Sequence, residues 1–135
     1  FNPDEYLAAH KKALLERARR PGCPPGHRMK AMFSYWSDFL VDNFNDAMYR
    51  SFLVLSQEDA SHGHMYGLRC LVRFFKARLS TNFEKEQFIE FEQLAHRVHD
   101  YLNFDYGLRV LLELLTMGGT AQAVAAAGVT LSPMT

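Results

Sequence analysis

Tyr66-Gly67-Leu68-Arg69 recurs forty residues later as Tyr106-Gly107-Leu108-Arg109. Each copy sets an aromatic ring at the head of an apolar-periodic segment. A guanidinium follows three residues on, which in a helix is the same face one turn later. Reading back by nearly the same period, thirty-nine residues, aligns Met32-Phe33-Ser34-Tyr35-Trp36 with Leu71-Val72-Arg73-Phe74-Phe75, Phe44 with Phe83, and Tyr49 with Phe88. A third, degenerate copy therefore puts His27 and Lys30 at the positions of Tyr66 and Arg69. A ring beside a cation suits a nucleotide, the ring stacking on a base and the cation meeting a phosphate. If the leading helices of adjacent repeats pack at about 8–10 Å, two projecting tyrosines are expected to stand one flat ring's thickness apart. A base held between two aromatics, with cations beside it, is a common way of holding single-stranded RNA. Gly67 and Gly107 would leave the helix start uncrowded, so that a ligand could approach backbone amides. The alternative is that both tyrosines bury their rings between repeats and hydrogen-bond locally.

Other constellations are weaker. Cys23 with His27, and His62 with His64, have spacings a metal could use, but no second close Cys pair supports zinc. His96 and His99 share a helical face and read as surface or packing residues. Glu84, Glu86, Glu90 and Glu92 read as a solvated helix face. There is no Gly-rich phosphate loop and no nucleophile elbow, so neither an enzyme nor a metal or other cofactor is expected.

These residues need a scaffold, and the text between them supplies one. Helix-forming sequence repeating at a period near forty is the signature of a two-helix solenoid. At 135 residues, 48% hydrophobic and 13% aromatic, the chain is expected to fold as one domain with a substantial core. It starts at Phe1 with no initiator Met, so a fragment of a longer protein is expected. No apolar run approaches the roughly 20 residues of a membrane span, and no leader is present, so no membrane association is expected. Two cysteines make no disulfide framework, which points to a reducing, cytoplasmic setting.

Net charge is zero, yet the signs alternate in blocks. Residues 11–30 carry seven basic side chains against Glu16 alone, and 61–79 carry Arg69, Arg73, Lys76 and Arg78 with no acid. The blocks at 38–59 and 84–100 are acidic. In a helical repeat this alternation is expected to give a basic face and an acidic one, the basic face fitting a phosphate-bearing partner. The plainer alternative is that the charges merely solvate a surface.

Asn2-Pro3-Asp4 predicts a capped helix running to about Arg20. Pro21 to Gly26 is a stiff loop. The first repeat is expected over His27–Leu40 and Asn45–Glu58, with Met29, Met32, Phe33, Trp36, Phe39 and Leu40 as a buried stripe. The second is expected over Tyr66–Leu79 and Phe83–His99, with Ser80-Thr81-Asn82 as a turn carrying its own caps. Phe88, Phe91, Leu94, Ala95 and Val98 are its inward positions. The third opens at Tyr106, with its second helix missing or reduced. After Gly118-Gly119 the composition turns to small residues, so 119–135 is expected to be a weakly ordered tail, with at most a short helix at Ala121–Ala127. The domain, 1–118, is all-α.

From about His27 to Leu115 the sequence resembles the C-terminal helical-repeat domain of La-related protein 1. The carrying residues are Met32-Phe33-Ser34-Tyr35-Trp36-Ser37-Asp38-Phe39-Leu40, Phe44-Asn45, Met48-Tyr49 and Glu58-Asp59-Ala60. The two Tyr-Gly-Leu copies, with Cys70-Leu71 and Arg73-Phe74-Phe75, complete the match. Residues 5–20 are similar more loosely, as a basic helix ahead of the repeats. The resemblance implies a HEAT-like solenoid that binds the 5′ end of messenger RNA in translation regulation. It implies that Tyr66 and Tyr106 sandwich the 7-methylguanine of the cap, whose positive charge strengthens stacking. It further implies that the His27 repeat helps hold the first nucleotide, and that basic side chains take the phosphate bridge.

One position departs. Where the family carries Glu, this chain has Arg69. A carboxylate accepts from the N–H donors of guanine's Watson–Crick edge, whereas arginine has only donors. Asp105 or Asp59 are candidates for the missing carboxylate. The expected binding set is therefore Tyr66 and Tyr106 for the base, Lys30, Arg69, Arg73 and Arg109 for phosphate or base edge, and His27 at the adjacent nucleotide. The expected partners are the mRNA 5′ end and other translation-related proteins, with the chain a monomer. The rival reading is a protein-interaction solenoid, or a cap-independent single-strand RNA binder, that kept the fold and lost guanine recognition.

Overall fold

A computed structural model describes residues 1–132. It contains seven helices and, among the described residues, no strand: α1 Pro3–Arg19, α2 His27–Asp42, α3 Asp46–Ser61, α4 Tyr66–Thr81, α5 Lys85–Leu102, α6 Tyr106–Thr116 and α7 Gly118–Ala127. The helix pairs α2/α3 and α4/α5 fall where the period near forty places them. The chain divides into two compact units, Phe1–Leu71 and Val72–Thr135, with the boundary inside α4 and no linker in the sequence to mark it.

In the first unit the Asn2 side chain accepts from the Asp4 and Glu5 amides, with Pro3 at the first helical position. Asn45 caps α3 in the same way, accepting from Met48 N–H. The Gly26 side of α2 has no local cap. Its first-turn amides are met instead from α1, where Glu16 accepts from Met29 N–H at 3.2 Å. The core is aromatic. Phe33, Trp36 and Phe52 are fully buried and mutually packed, with centroids 5.6–6.1 Å apart. Met29, Met32, Leu40, Tyr49 and Leu53 surround them. Ser37 Oγ donates to the Cys70 carbonyl at 2.9 Å, fastening α2 to the head of α4 in the buried interior. Trp36 Nε1 donates to the Tyr6 hydroxyl at 2.9 Å, and Arg17 joins Asp59 and Glu58, so α1 is fastened to both α2 and α3.

In the second unit Phe75 stacks on Phe91 at 4.9 Å, and Phe74, Leu79, Phe88, Leu94, Ala95, Val98, Val110, Leu111 and Leu114 are buried. Arg78 Nε donates to Gln87 Oε1, joining α4 to α5. Asn103, in the left-handed region at φ 54°, ends α5. Ser80 and Thr81 do not form the expected turn. They complete α4, their hydroxyls donating back to the Lys76 and Ala77 carbonyls, and Glu84 stands at the head of α5 without a side-chain cap bond.

The expected tail is also corrected. Its first part is helix α7, packed on α6, with Thr120 and Val124 buried. Beyond it, Ser132 N–H donates to Glu92 Oε1 at 3.0 Å. Alanine favours helix wherever one face finds a partner, and the composition concealed that partner. The last three positions of the expected tail, 133–135, lie outside the described residues.

Candidate nucleic-acid interface

Tyr66 is the first residue of α4 and Tyr106 the first residue of α6, so the repeated motif marks two helix starts. Both rings are half-buried. Behind Tyr66 stands Phe33, with centroids 6.5 Å apart and the planes tilted by 52°. Above it is Lys30, whose Nζ lies 5.6 Å from the ring centroid. Tyr106 has Phe104 edge-on at 6.3 Å and the Arg109 Cζ 5.6 Å from its own centroid. Both cations sit near the outer limit of about 6 Å for attraction to a ring face. Held so loosely, they keep most of their capacity for an anion.

The two cations come from different places. Arg109 is three residues past its tyrosine, as the spacing predicts. Lys30 belongs to α2, the leading helix of the preceding repeat, and reaches the tyrosine of the next. Arg69, three residues past Tyr66, is exposed, as is Arg73 in the second unit. His27 is exposed one turn before Lys30, and lines a groove between α1 and α2.

The glycines of the motif are there for packing. A Cβ on Gly67 would fall 2.8 Å from the Phe33 ring, and one on Gly107 would fall 3.2 Å from the Ala95 Cα. Both glycines are buried. The space beside each helix start is filled by the protein, which corrects the expectation of an uncrowded approach for a ligand.

Of the two carboxylates considered for guanine, Asp59 is excluded. It is 3% exposed and one oxygen is taken by Arg17. Arg17 loses some basicity to burial, but its bonds to Asp59 and Glu58 more than offset this and hold the guanidinium above its ordinary value. Asp105 is exposed next to Tyr106, with His99 Nε2 3.5 Å from its carboxylate.

Lys76, named in the basic run 61–79 but outside the expected binding set, is paired within the second unit. Its Nζ lies 2.7 Å from Glu113 on α6. Its ammonium is raised above the ordinary lysine value by the hydrogen bond to Glu113, by that carboxylate's charge and, more weakly, by Tyr106. Among the described residues no group of three or more His, Cys, Asp or Glu is placed to hold a metal ion. His64 of the His62/His64 pair instead bonds the Gly22 carbonyl at 2.9 Å. No single helix among them is long and apolar enough to cross a membrane.

Helix pairs at this period, with an aromatic residue heading successive leading helices, define a HEAT-like repeat domain. The family model of the LARP1 HEAT repeat region matches residues 1–122. The chain belongs to that family. The match takes in α1, which the resemblance covered only loosely, and reaches into α7. The matched residues include both Tyr66 and Tyr106, and Arg69 is exposed on the turn after Tyr66.

Proposed function

We propose that this domain binds the 5′ end of messenger RNA, with Tyr66 and Tyr106 as the aromatic contacts of the 7-methylguanine cap. The observation that carries the reading is the pairing of each half-buried tyrosine, at the first residue of its helix, with a loosely held cation: Lys30 for Tyr66 and Arg109 for Tyr106. Rings backed by protein lose little freedom on stacking, and a cationic base gains from their quadrupoles. Lys30, Arg109, Arg69 and Arg73 then meet the phosphate bridge and the following phosphates, and His27 meets the first nucleotide. Asp105 is the carboxylate that accepts from the guanine edge in place of the family's Glu. This site works in the cytoplasm, on a monomer that also meets other translation-related proteins.

Arg69 favours a second reading, in which the surface binds single-stranded RNA without reading the cap. The test is fluorescence anisotropy with a short capped RNA opening in cytidine, competed by cap analogues with and without the 7-methyl group. Methyl-dependent competition that is lost in Tyr66→Ala supports cap recognition. Binding without methyl dependence supports the single-strand reading. No binding favours the protein-interaction reading.

A further inference from the structure

Helices α1 and α2 pack antiparallel. Phe1 packs on Phe39 with ring centroids 4.9 Å apart at one end, and Glu16 caps the first turn of α2 at the other. Between the helices lies a groove of about 860 Å³, open to solvent. Its floor is small and apolar, formed by Ala8, Ala9, Ala31 and Met32. Its ends differ. Tyr6 and Tyr35, with centroids 5.7 Å apart, stand toward the Phe1 end, where the acid Glu5 also lies. Lys12, His27 and Arg28 stand at the end near the start of α2. The tyrosines are held in place, Tyr6 by the Trp36 hydrogen bond and Tyr35 by stacking on Phe39 at 5.1 Å. The groove is therefore preformed, and its volume lies within the roughly 300–1,000 Å³ of small-ligand sites.

Aromatic rings at one end, cations at the other and an apolar floor between them match a nucleotide, with its flat base and its phosphate. The cationic end also adjoins the candidate interface. His27 is three residues, about 4.5 Å along the helix axis, before Lys30, the residue over the Tyr66 ring. A strand leaving Tyr66 meets the cations of the groove first and its tyrosines next. An apolar peptide would use the floor but has no need of Lys12 and Arg28, so the charge favours a polyanion. We propose that the α1–α2 groove is a second nucleotide site, taking a downstream base of the single strand against Tyr35 and Tyr6 and its flanking phosphates at Lys12 and Arg28. The direction of the strand rests on the RNA-binding reading of Tyr66.

The test compares a 7-methyl cap dinucleotide ending in cytidine with a capped seven-nucleotide pyrimidine RNA. Wild type is expected to bind the longer RNA about tenfold more tightly, one stacked base contributing on that order. Ala31→Trp fills the floor from an exposed position. It is expected to remove the length gain and leave dinucleotide affinity within about twofold. Lys12→Gln with Arg28→Gln is expected to lower the slope of log K against log salt for the longer RNA by about 1.4, from two phosphates at about 0.7 each. An unchanged length gain and slope in these variants, with unchanged melting temperatures, overturns the groove site. Failure of the Tyr66 reading looks different: Tyr66→Ala then binds both probes as wild type does, while the effect of Ala31→Trp still supports the groove. Wild type that binds neither probe overturns both.

Discussion

The Phe33 ring occupies the space that a side chain at Gly67 would need, its Cζ lying 2.8 Å from where a Cβ would stand. The ring is fully buried against Trp36 and Phe52 and has nowhere to retreat. Alanine would gain up to about 1 kcal/mol in helix propensity over glycine, and less at the second residue of a helix. Overpacking costs about 1–3 kcal/mol. Gly67→Ala is therefore expected to destabilise by about 1 kcal/mol net in urea unfolding. Gly107→Ala should do the same, because its nearest neighbour is backbone. Gly119→Ala, with nothing within 4 Å, should be neutral or stabilising by up to about 1 kcal/mol. The same sign at all three positions would show that packing does not explain the motif's glycines.

Tyr6→Phe should cost about 1–3 kcal/mol, because it leaves the Trp36 Nε1–H, donating at 2.9 Å, without a partner beside a fully buried indole. The same residue gives the alkaline limb a sign. Burial raises the Tyr6 hydroxyl above its ordinary value, with the Trp36 bond acting the other way, and burial raises Tyr35 as well. A phenol whose folded pKa is raised contributes stability that is fully present below the ordinary tyrosine value of about 10 and is lost as pH rises through the folded one. Unfolding midpoints should therefore fall above about pH 10, and fall less steeply in Tyr6→Phe. An identical alkaline slope in the two proteins would refute the assignment.

Asp59 and Glu58 both bind Arg17, but their environments set different costs. Asp59 is almost wholly buried, and its removal leaves a guanidinium whose side chain is 21% exposed with the more exposed Glu58 as its remaining carboxylate partner. Asp59→Ala is expected to cost about 3 kcal/mol. Glu58, 56% exposed, should cost no more than about 1 kcal/mol on the same substitution. Chemical denaturation of the two variants measures the difference, and equal costs would refute the burial argument.

What could be read from the sequence was whatever repeats locally. The stripe Phe88, Phe91, Leu94, Ala95 and Val98 is buried as its spacing predicts, and the cap at Asn2 falls just ahead of Pro3, as the start signal predicts. Partnerships between distant residues could not be read. Glu16 caps α2 across a Pro-Gly loop, Phe33 decides what residue 67 can be, and burial of Val124 turns an alanine-rich stretch into a packed helix. The candidate site divides the same way. The repeat disclosed Tyr66, Tyr106 and the Arg109 pairing, whereas Lys30 reaches its ring from the preceding helix, and no spacing within one motif encodes that.

Arg69 offers the most direct test of the proposed chemistry. It is exposed one turn after Tyr66, so replacing it disturbs no core contact. A carboxylate there would accept from the guanine N–H donors that arginine cannot serve. Hydrogen bonds to a charged group contribute about 1.5–3 kcal/mol. Arg69→Glu is therefore expected to tighten binding of a 7-methylguanosine cap analogue by roughly tenfold or more. It should also weaken binding of an uncapped RNA of the same length, through loss of a phosphate contact. Anisotropy titrations with both probes read the two effects together. Weaker binding of both would mean that Arg69 serves phosphate and that the edge of the base is not presented to it. Unchanged binding of both would place residue 69 outside the interface.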